Sequence, residues 1–194
     1  MNTDRKHTAR KVIRERLKEL GPEDFLKKSQ MAATHLMTTP EWRNARTVLM
    51  FSSLPSEPQT QLLFDELRKR KGTVVLPRST WTPGQLVLHA VSENSCLTLG
   101  KMGFLEPDPD HCPVIELGQI DLVIAPGIAF DRQCHRLGRG GGYYDRLLGT
   151  SKHHCPVMGL MFACQEVEEV PTQAHDHPLT AVCTENGVIR VIPI

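Results

Sequence analysis

The residues best equipped for chemistry lie in one stretch, Pro126-Gly-Ile-Ala-Phe-Asp-Arg-Gln-Cys-His-Arg-Leu-Gly-Arg-Gly-Gly-Gly-Tyr-Tyr-Asp145. Gly138, Gly140, Gly141 and Gly142 carry no Cβ, so several main-chain N–H groups can turn inward toward an anion. Arg136 and Arg139 add fixed positive charge with forked donors that match phosphate oxygens. A helix starting at Tyr143 would direct the positive end of its dipole at the same point. Asp145 can offer a carboxylate to a phosphate-bound Mg²⁺, a hard ion that prefers oxygen. The pattern is not a Walker A loop, since no G-x-x-x-x-G-K-[ST] occurs. Nor is it the dinucleotide fingerprint, because counting G-x-G-x-x-G from Gly138 puts Tyr143 at the third glycine. A flexible surface turn is the alternative; four glycines, two arginines and an acid behind a buried strand favour phosphate binding.

Other candidates are more scattered. Arg10 and Arg14 lie one turn apart on a basic N-terminal helix and read either as phosphate contacts or as a solvated face. Glu57 sits in a loop between Ser56 and Pro58. Tyr143 and Tyr144 either pack or stack on a flat ligand. His175-Asp176-His177, with His153-His154, is the competing transition-metal reading, but Pro178 follows and no third ligand has a convincing spacing. Cys134 and His135 are adjacent, so their side chains point apart, which argues against a nucleophilic pair.

The elements that must position these groups alternate strand with helix. Thr3–Leu20 reads as a helix, with Ile13, Leu17 and Leu20 on one face and Gly21-Pro22 ending it. Seven basic residues stand against three acids there. A second helix covers Glu23–Met37. Strand Thr47–Phe51, helix Gln59–Lys71 and strand Thr73–Pro77 form a βαβ unit, which implies a parallel sheet. Leu86–Val91 reads as an edge strand or hairpin, and Glu106–Pro113, with three prolines and three carboxylates, as loop. Asp121–Ala125 is apolar on both faces, as central parallel strands are; it feeds the glycine-rich segment and a short helix, Tyr143–Leu148. Pro156–Met161, Ala181–Thr184 and Val188–Ile192 complete the strands, the last two joined across Glu185-Asn186-Gly187, a hairpin signal.

Composition bounds the function. The 194 residues suit one domain spanning 1–194. With 23 Lys+Arg against 22 Asp+Glu, broad electrostatic attraction to nucleic acid or membrane is not expected. The longest weakly polar run, Leu122–Phe130, is too short to span a bilayer. Six cysteines never form C-x-x-C, and the first twenty residues lack the apolar run of a signal peptide. A reducing cytoplasm is the expected setting.

The run P-G-I-A-F-D…R-L-G-R-G-G-G-Y-Y-D-R-L-L resembles the signature of the 5-formyltetrahydrofolate cyclo-ligase family, also called methenyltetrahydrofolate synthetase. The likeness extends over nearly the whole chain: the basic helix with Arg14, the Phe51–Thr60 segment with Glu57, Leu76-Pro77-Arg78, Gly103–Pro107, and Val170-Pro171 to Asp176 follow in the family's order. The resemblance implies an α/β fold, a three-layer α/β/α Rossmann-like sandwich with a mostly parallel central sheet, of the kind shared with sugar-phosphate isomerases. It implies an ATP- and Mg²⁺-dependent enzyme that converts 5-formyltetrahydrofolate to 5,10-methenyltetrahydrofolate, releasing ADP and phosphate, and works as a monomer. By match to the family pattern, Arg10, Arg14, Arg136, Leu137 and the loop Gly138, Arg139, Gly140, Gly141, Gly142, Tyr143, Tyr144 would hold ATP. Arg139 to Tyr143 would also face the folate, with Arg139 and Tyr143 at the reacting centre. Asp145 and Asp176 would hold magnesium. Glu57 would bond the pterin, and Ser52 falls where the family lines the pterin pocket with an apolar residue. The family usually has lysine where Arg10 falls, with Lys11 adjacent here. A sugar-phosphate isomerase and a non-catalytic nucleotide- or RNA-binding module are the competing functions.

Overall fold

Alternation of apolar residues along each short run decides which face of the sheet it serves. In the computed structural model, which describes residues 2–80, 82, 84–92, 97–100, 105–150, 154–173 and 176–191, seven strands form one sheet. The chain runs through helices α1 (Asn2–Lys18), α2 (Pro22–Met37) and α3 (Pro40–Asn44), then β1 (Thr47–Leu49), α4 (Gln61–Lys69), β2 (Thr73–Ser79) and β3 (Leu86–Val91). A ribbon of β4 (Leu97–Leu99) and β5 (Leu105–Pro107) precedes β6 (Leu122–Ala125), and a second ribbon, β7 (Ala129–Phe130) with β8 (Arg136–Leu137), precedes α5 (Tyr143–Leu148). Strands β9 (Val157–Leu160), β10 (Ala181–Thr184) and β11 (Gly187–Ile189) complete it. The sheet order is β11-β10-β9-β6-β1-β2-β3. The run from β10 to β2 is parallel throughout, and the two edge strands, β11 and β3, are antiparallel to their neighbours.

On one face Val48, Val74, Leu122, Ile124, Met158 and Leu160 pack with Ala32, Ala33 and Leu36 of α2 and Leu63 and Leu67 of α4. On the other, Leu49, Val75, Val123, Ala125, Val157 and Val182 pack against Leu148 of α5, Leu117 and Phe130. The sandwich expected from the sequence is present, with a thin second layer: among the described residues it holds the turn-and-a-half of α5 and the 3-10 turn Leu117–Gln119. Helix α1 stands outside the layers. Its Ile13 is buried against Ile128, Ala129, Leu137 and Val170, which fastens it to the β7–β8 ribbon. No helix among the described residues is long and apolar enough to cross a membrane.

Several elements differ from the sequence expectation. Pro40 does not merely stop α2: Thr39 accepts a hydrogen bond from Trp42 N at 3.3 Å and Pro40 occupies the first turn of α3, where its missing N–H costs nothing. Glu106 and Pro107, read as loop, are strand residues of β5; a proline is tolerated because β4–β5 has only two strands and leaves one edge of each open. The glycine-rich segment opens with the β7–β8 ribbon. Its connection is shaped by the buried Asp131 carboxylate, which accepts from Gln133 N (3.0 Å), His135 N (3.0 Å) and Val170 N (2.9 Å). The Glu185-Asn186 turn pairs β10 with β11 as expected, although β11 ends at Ile189, and Ile192 lies outside the described residues. His153, His175, Cys96 and Gly103 also lie outside them.

Candidate functional site

The parallel strands β1, β2 and β6 end at one rim of the sheet, and the chain leaves each of them into a cavity of about 430 Å³. Open α/β sheets place ligands at this rim, because diverging connections leave a crevice there. Phe51, Ser52, Leu54 and Glu57 come from the loop after β1, Pro77 and Ser79 from β2, and Pro126 and Gly127 follow β6. Leu86 of β3 and Glu106 of β5 close one side; Arg136, Gly138, Arg139, Gly141, Gly142, Tyr143, Tyr144 and Asp145 close the other.

The glycines do distinct work. Gly140 has φ 113° and Gly142, which precedes the first turn of α5, has φ 64°, conformations that L side chains seldom adopt. At Gly141 a Cβ would lie 2.6 Å from the Tyr143 ring, so close approach rather than backbone angle requires glycine there. The loop is then clamped from three sides. Arg10 Nε donates to the Gly138 carbonyl at 2.9 Å, Arg146 donates to the Gly141 carbonyl and to Gly84 O, and Arg139 leaves the loop for Glu57.

Charge around the cavity is organised in pairs. Arg136 is 6% exposed, and its fork donates to Asp145 Oδ1 (2.7 Å) and to His177 O (2.7 Å). Arg139 Nε donates to Glu57 Oε1 at 2.8 Å and its Nη2 to Ser56 Oγ at 2.9 Å, while Leu54 N donates to Glu57 Oε2 at 3.0 Å. Lys6 Nζ donates to Asp176 Oδ2 at 2.7 Å, and Gln173 N to the same oxygen at 2.8 Å. Burial pushes the Tyr144 phenol well above its usual range, helped by the Glu57 charge and opposed by Arg136, so the hydroxyl stays protonated. That hydroxyl is sealed in the packing with no hydrogen-bond partner among the described residues. Burial, with repulsion from Arg14, lowers the Arg10 pKa, and burial with Arg136 lowers that of His177.

The structure brings together most of the residues singled out from sequence and separates a few. Ser52, Glu57, Arg136, Gly138, Arg139, Gly141, Gly142, Tyr143, Tyr144 and Asp145 line the cavity. Arg10 and Gly140 stand just behind it, the guanidinium 3.7 Å from where a Gly140 Cβ would be. Leu137 is buried in the α1 cluster, so its side chain anchors the loop instead of facing a ligand. Asp176 is not in the lining, but its neighbour His177 touches both Arg136 and Asp145. Arg14 is exposed one turn beyond Arg10; the α1 cations that reach the glycine loop and Asp176 are Arg10 and Lys6. Lys6 was missed because a basic helix of uniform composition does not reveal where along its axis it docks. Ser79 was missed because it lies just past the Leu76-Pro77-Arg78 match, and Glu106, although inside the Gly103–Pro107 match, was given no role because that stretch reads as loop. Cys134 is fully buried and its thiol pKa is raised, chiefly by burial, in line with the sequence reading that it is no nucleophile.

Comparison with known proteins gives the chain a family and a fold relative. The sequence model of the 5-formyltetrahydrofolate cyclo-ligase family matches residues 2–185. The 5-formyltetrahydrofolate cyclo-ligase of Escherichia coli (strain K12) is 36% identical over 179 residues, covering 91% of this chain and 98% of that protein. That of Haemophilus influenzae is 31% identical over 182 residues, covering 92% and 97%. The NMR structure of Aquifex aeolicus 5,10-methenyltetrahydrofolate synthetase superposes with a TM-score of 0.82 at 29% identity, covering 95% of this chain and 92% of that one.

Proposed function

The chain belongs to the 5-formyltetrahydrofolate cyclo-ligase family, and from that premise we propose that it converts 5-formyltetrahydrofolate to 5,10-methenyltetrahydrofolate with consumption of ATP and release of ADP and phosphate. The observation that carries the reading is the Arg139–Glu57 pair, which ties the anion-binding loop to a buried acceptor within one cavity. Two different ligands can therefore meet there. Phe51, Leu54, Pro77 and Leu86 offer apolar surface to a flat pterin, and Glu57 accepts N–H groups from its amino-pyrimidine edge. The N–H groups of Gly138 to Gly142, with Arg136, Arg10 and Lys6 around them, take the phosphates.

The chemistry follows from a poor leaving group. An amide oxygen does not depart by itself; the formyl oxygen attacks the γ-phosphorus, ADP leaves, and the oxygen is now part of a phosphate ester. N10 then adds to the activated carbon and loses its proton, and the C–O bond breaks to release phosphate and leave the closed five-membered ring. The protein's task is to align the formyl oxygen with the γ-phosphate and to neutralise charge as it moves between them. Arg139 and Tyr143 sit where the two ligands would meet, Arg139 offering its guanidinium and Tyr143 its ring.

The carboxylates suit magnesium. Asp145 faces the cavity, and its Oδ2 accepts no hydrogen bond among the described residues. Mg²⁺ takes oxygen ligands and keeps water and substrate phosphates in most positions, so Asp145 with Asp176 would suffice. The ion would supply charge neutralisation on the phosphate oxygens. The reading includes a cytoplasmic monomer.

The test is direct. Protein mixed with ATP, Mg²⁺ and 5-formyltetrahydrofolate should develop methenyl absorbance, and omitting either ATP or Mg²⁺ should abolish it. A flat trace from folded protein in the complete mixture overturns the proposal.

A further inference from the structure

The cavity wall holds a carboxylate that neither the glycine loop nor the Arg139–Glu57 pair explains. Glu106, in β5, closes the cavity on the side of β2 and β3 and is 2% exposed. Its Oε1 accepts from Ser79 N at 3.0 Å and from Ser79 Oγ at 2.5 Å. Every other acid around the site has a cation: Glu57 has Arg139, Asp145 has Arg136, and Asp176 has Lys6. Among the described residues Glu106 has none, and its Oε2 accepts no hydrogen bond yet is not sealed in the packing. A buried carboxylate served by neutral donors from a single residue is costly unless a further donor arrives. Gly100 accommodates the Glu106 side chain itself, since a Cβ there would lie 2.5 Å from Oε2 and closer still to Cδ.

We propose that Glu106 is a second substrate-recognition residue, whose Oε2 accepts an N–H of the reduced pteridine of the folate. The apolar neighbours Pro77 and Leu86 suit the flat ring, and the donor that the wall lacks is one the ring carries. The pterin is then gripped by two acids of different kinds. Glu57 is already neutralised by Arg139 and makes a modest exchange on binding, whereas Glu106 gains its missing partner. A site built around such an unfilled acceptor discriminates strongly against a ligand that lacks the matching N–H, because binding would leave the acceptor buried and unpaired.

This inference rests on the cyclo-ligase reading, and calorimetry separates the two. Wild-type protein is titrated with 5-formyltetrahydrofolate and, separately, with ATP–Mg²⁺; if it takes up nucleotide but no folate, the functional reading itself fails. If it binds both, Glu106→Gln is titrated in the same way. The expected result is folate affinity weakened about ten-fold or more, as befits loss of a charged hydrogen bond, with nucleotide affinity and melting temperature unchanged. Glutamine can still accept from Ser79. A residue that only fastens β5 to β2 would therefore leave folate affinity intact, and that result overturns the proposal. Should Glu106→Gln not fold, Glu106→Asp keeps the charge but withdraws it from the ring; wild-type folate affinity in that variant is equally fatal.

Discussion

The two rims of the sheet use the same kinds of charged residue to opposite ends. At the rim where the parallel strands begin, charge mainly serves the main chain, and the side-chain ion pairs, Lys69 with Glu66 and Arg190 with Glu41, are partly exposed. Arg70 donates to Trp42 O (2.7 Å) and Arg43 O (3.1 Å), Arg46 donates to Arg70 O (3.1 Å), and Asp121 accepts from Arg46 N (2.8 Å) and Thr47 N (2.7 Å). At the rim where those strands end, arginines and a lysine pair with side-chain carboxylates around a cavity: Arg136 with Asp145, Arg139 with Glu57, Lys6 with Asp176. A carbonyl fixed in the backbone can be replaced by no ligand without unfolding something. A side-chain ion pair beside a cavity can be exchanged for a phosphate, a pterin or a metal ion at little structural cost. Exchangeable partners therefore mark the functional rim better than charge density does.

If that contrast is right, neutralising a cavity acid should strike catalysis and spare the fold. The largest effect is expected for Asp145→Asn, which keeps a hydrogen-bond acceptor for Arg136 but loses the charge: kcat/KM should fall by about three orders of magnitude or more with little change in melting temperature. Retained activity would reduce Asp145 to a counter-ion for Arg136. Glu57→Gln should come next, raising KM for 5-formyltetrahydrofolate about ten-fold while leaving KM for ATP alone. Equal rises in both would mean that Glu57 acts through the position of Arg139.

At the opposite rim the sign of the result should invert. Arg70 lies 4.7 Å from the Trp42 ring centroid in addition to its carbonyl bonds. Replacing it with Ala should cost about 1–2 kcal/mol in urea denaturation and leave kcat per folded molecule unchanged. The smallest effect concerns acid. Glu41 is held below the usual carboxylate range, first by its hydrogen bond from Arg190, which reaches both oxygens at 2.7 and 2.8 Å. A depressed pKa means that stability from this pair is fully present above the unfolded value of about 4.3 and is lost as pH falls through the folded one. Arg190 is 40% exposed, so screening limits the contribution to under about 1 kcal/mol. Arg190→Ala should lower stability at neutral pH by under about 1 kcal/mol and flatten the acid limb of a stability–pH curve slightly, so that variant and wild type converge at low pH.

The same contrast explains what could be read from the sequence. The glycine cluster, Asp145 and the doubly apolar strand before them are local patterns, and the structure keeps them adjacent. Glu57 was legible only through the family resemblance, since a carboxylate between Ser56 and Pro58 carries no signal of the arginine 82 residues away. The docking depth of α1 was not legible. Lys6, Arg10 and Arg14 share a face at helical spacing, and only the burial of Ile13 against β7 and β8 decides that the first two reach the glycine loop and Asp176. The β4–β5 and β7–β8 ribbons escaped because strands of two or three residues, one containing Pro107, owe their existence to a partner, not to propensity. With β5 read as loop, Glu106 was seen only as part of the Gly103–Pro107 match and was assigned no role.

Helix α1 imposes an order on biogenesis. The tertiary contacts described for it lie from position 128 onward: Ile128, Leu137 and Gly138, then the Cys164, Glu166 and Glu169 segment, and finally Gln173 and Asp176. With one fully buried apolar side chain of its own, this stretch has little to hold it until those late residues leave the ribosome. Residues 2–18 thus dock only once residues 128–176 are in place, and the Arg10 clamp on the glycine loop closes after the strands that the loop follows.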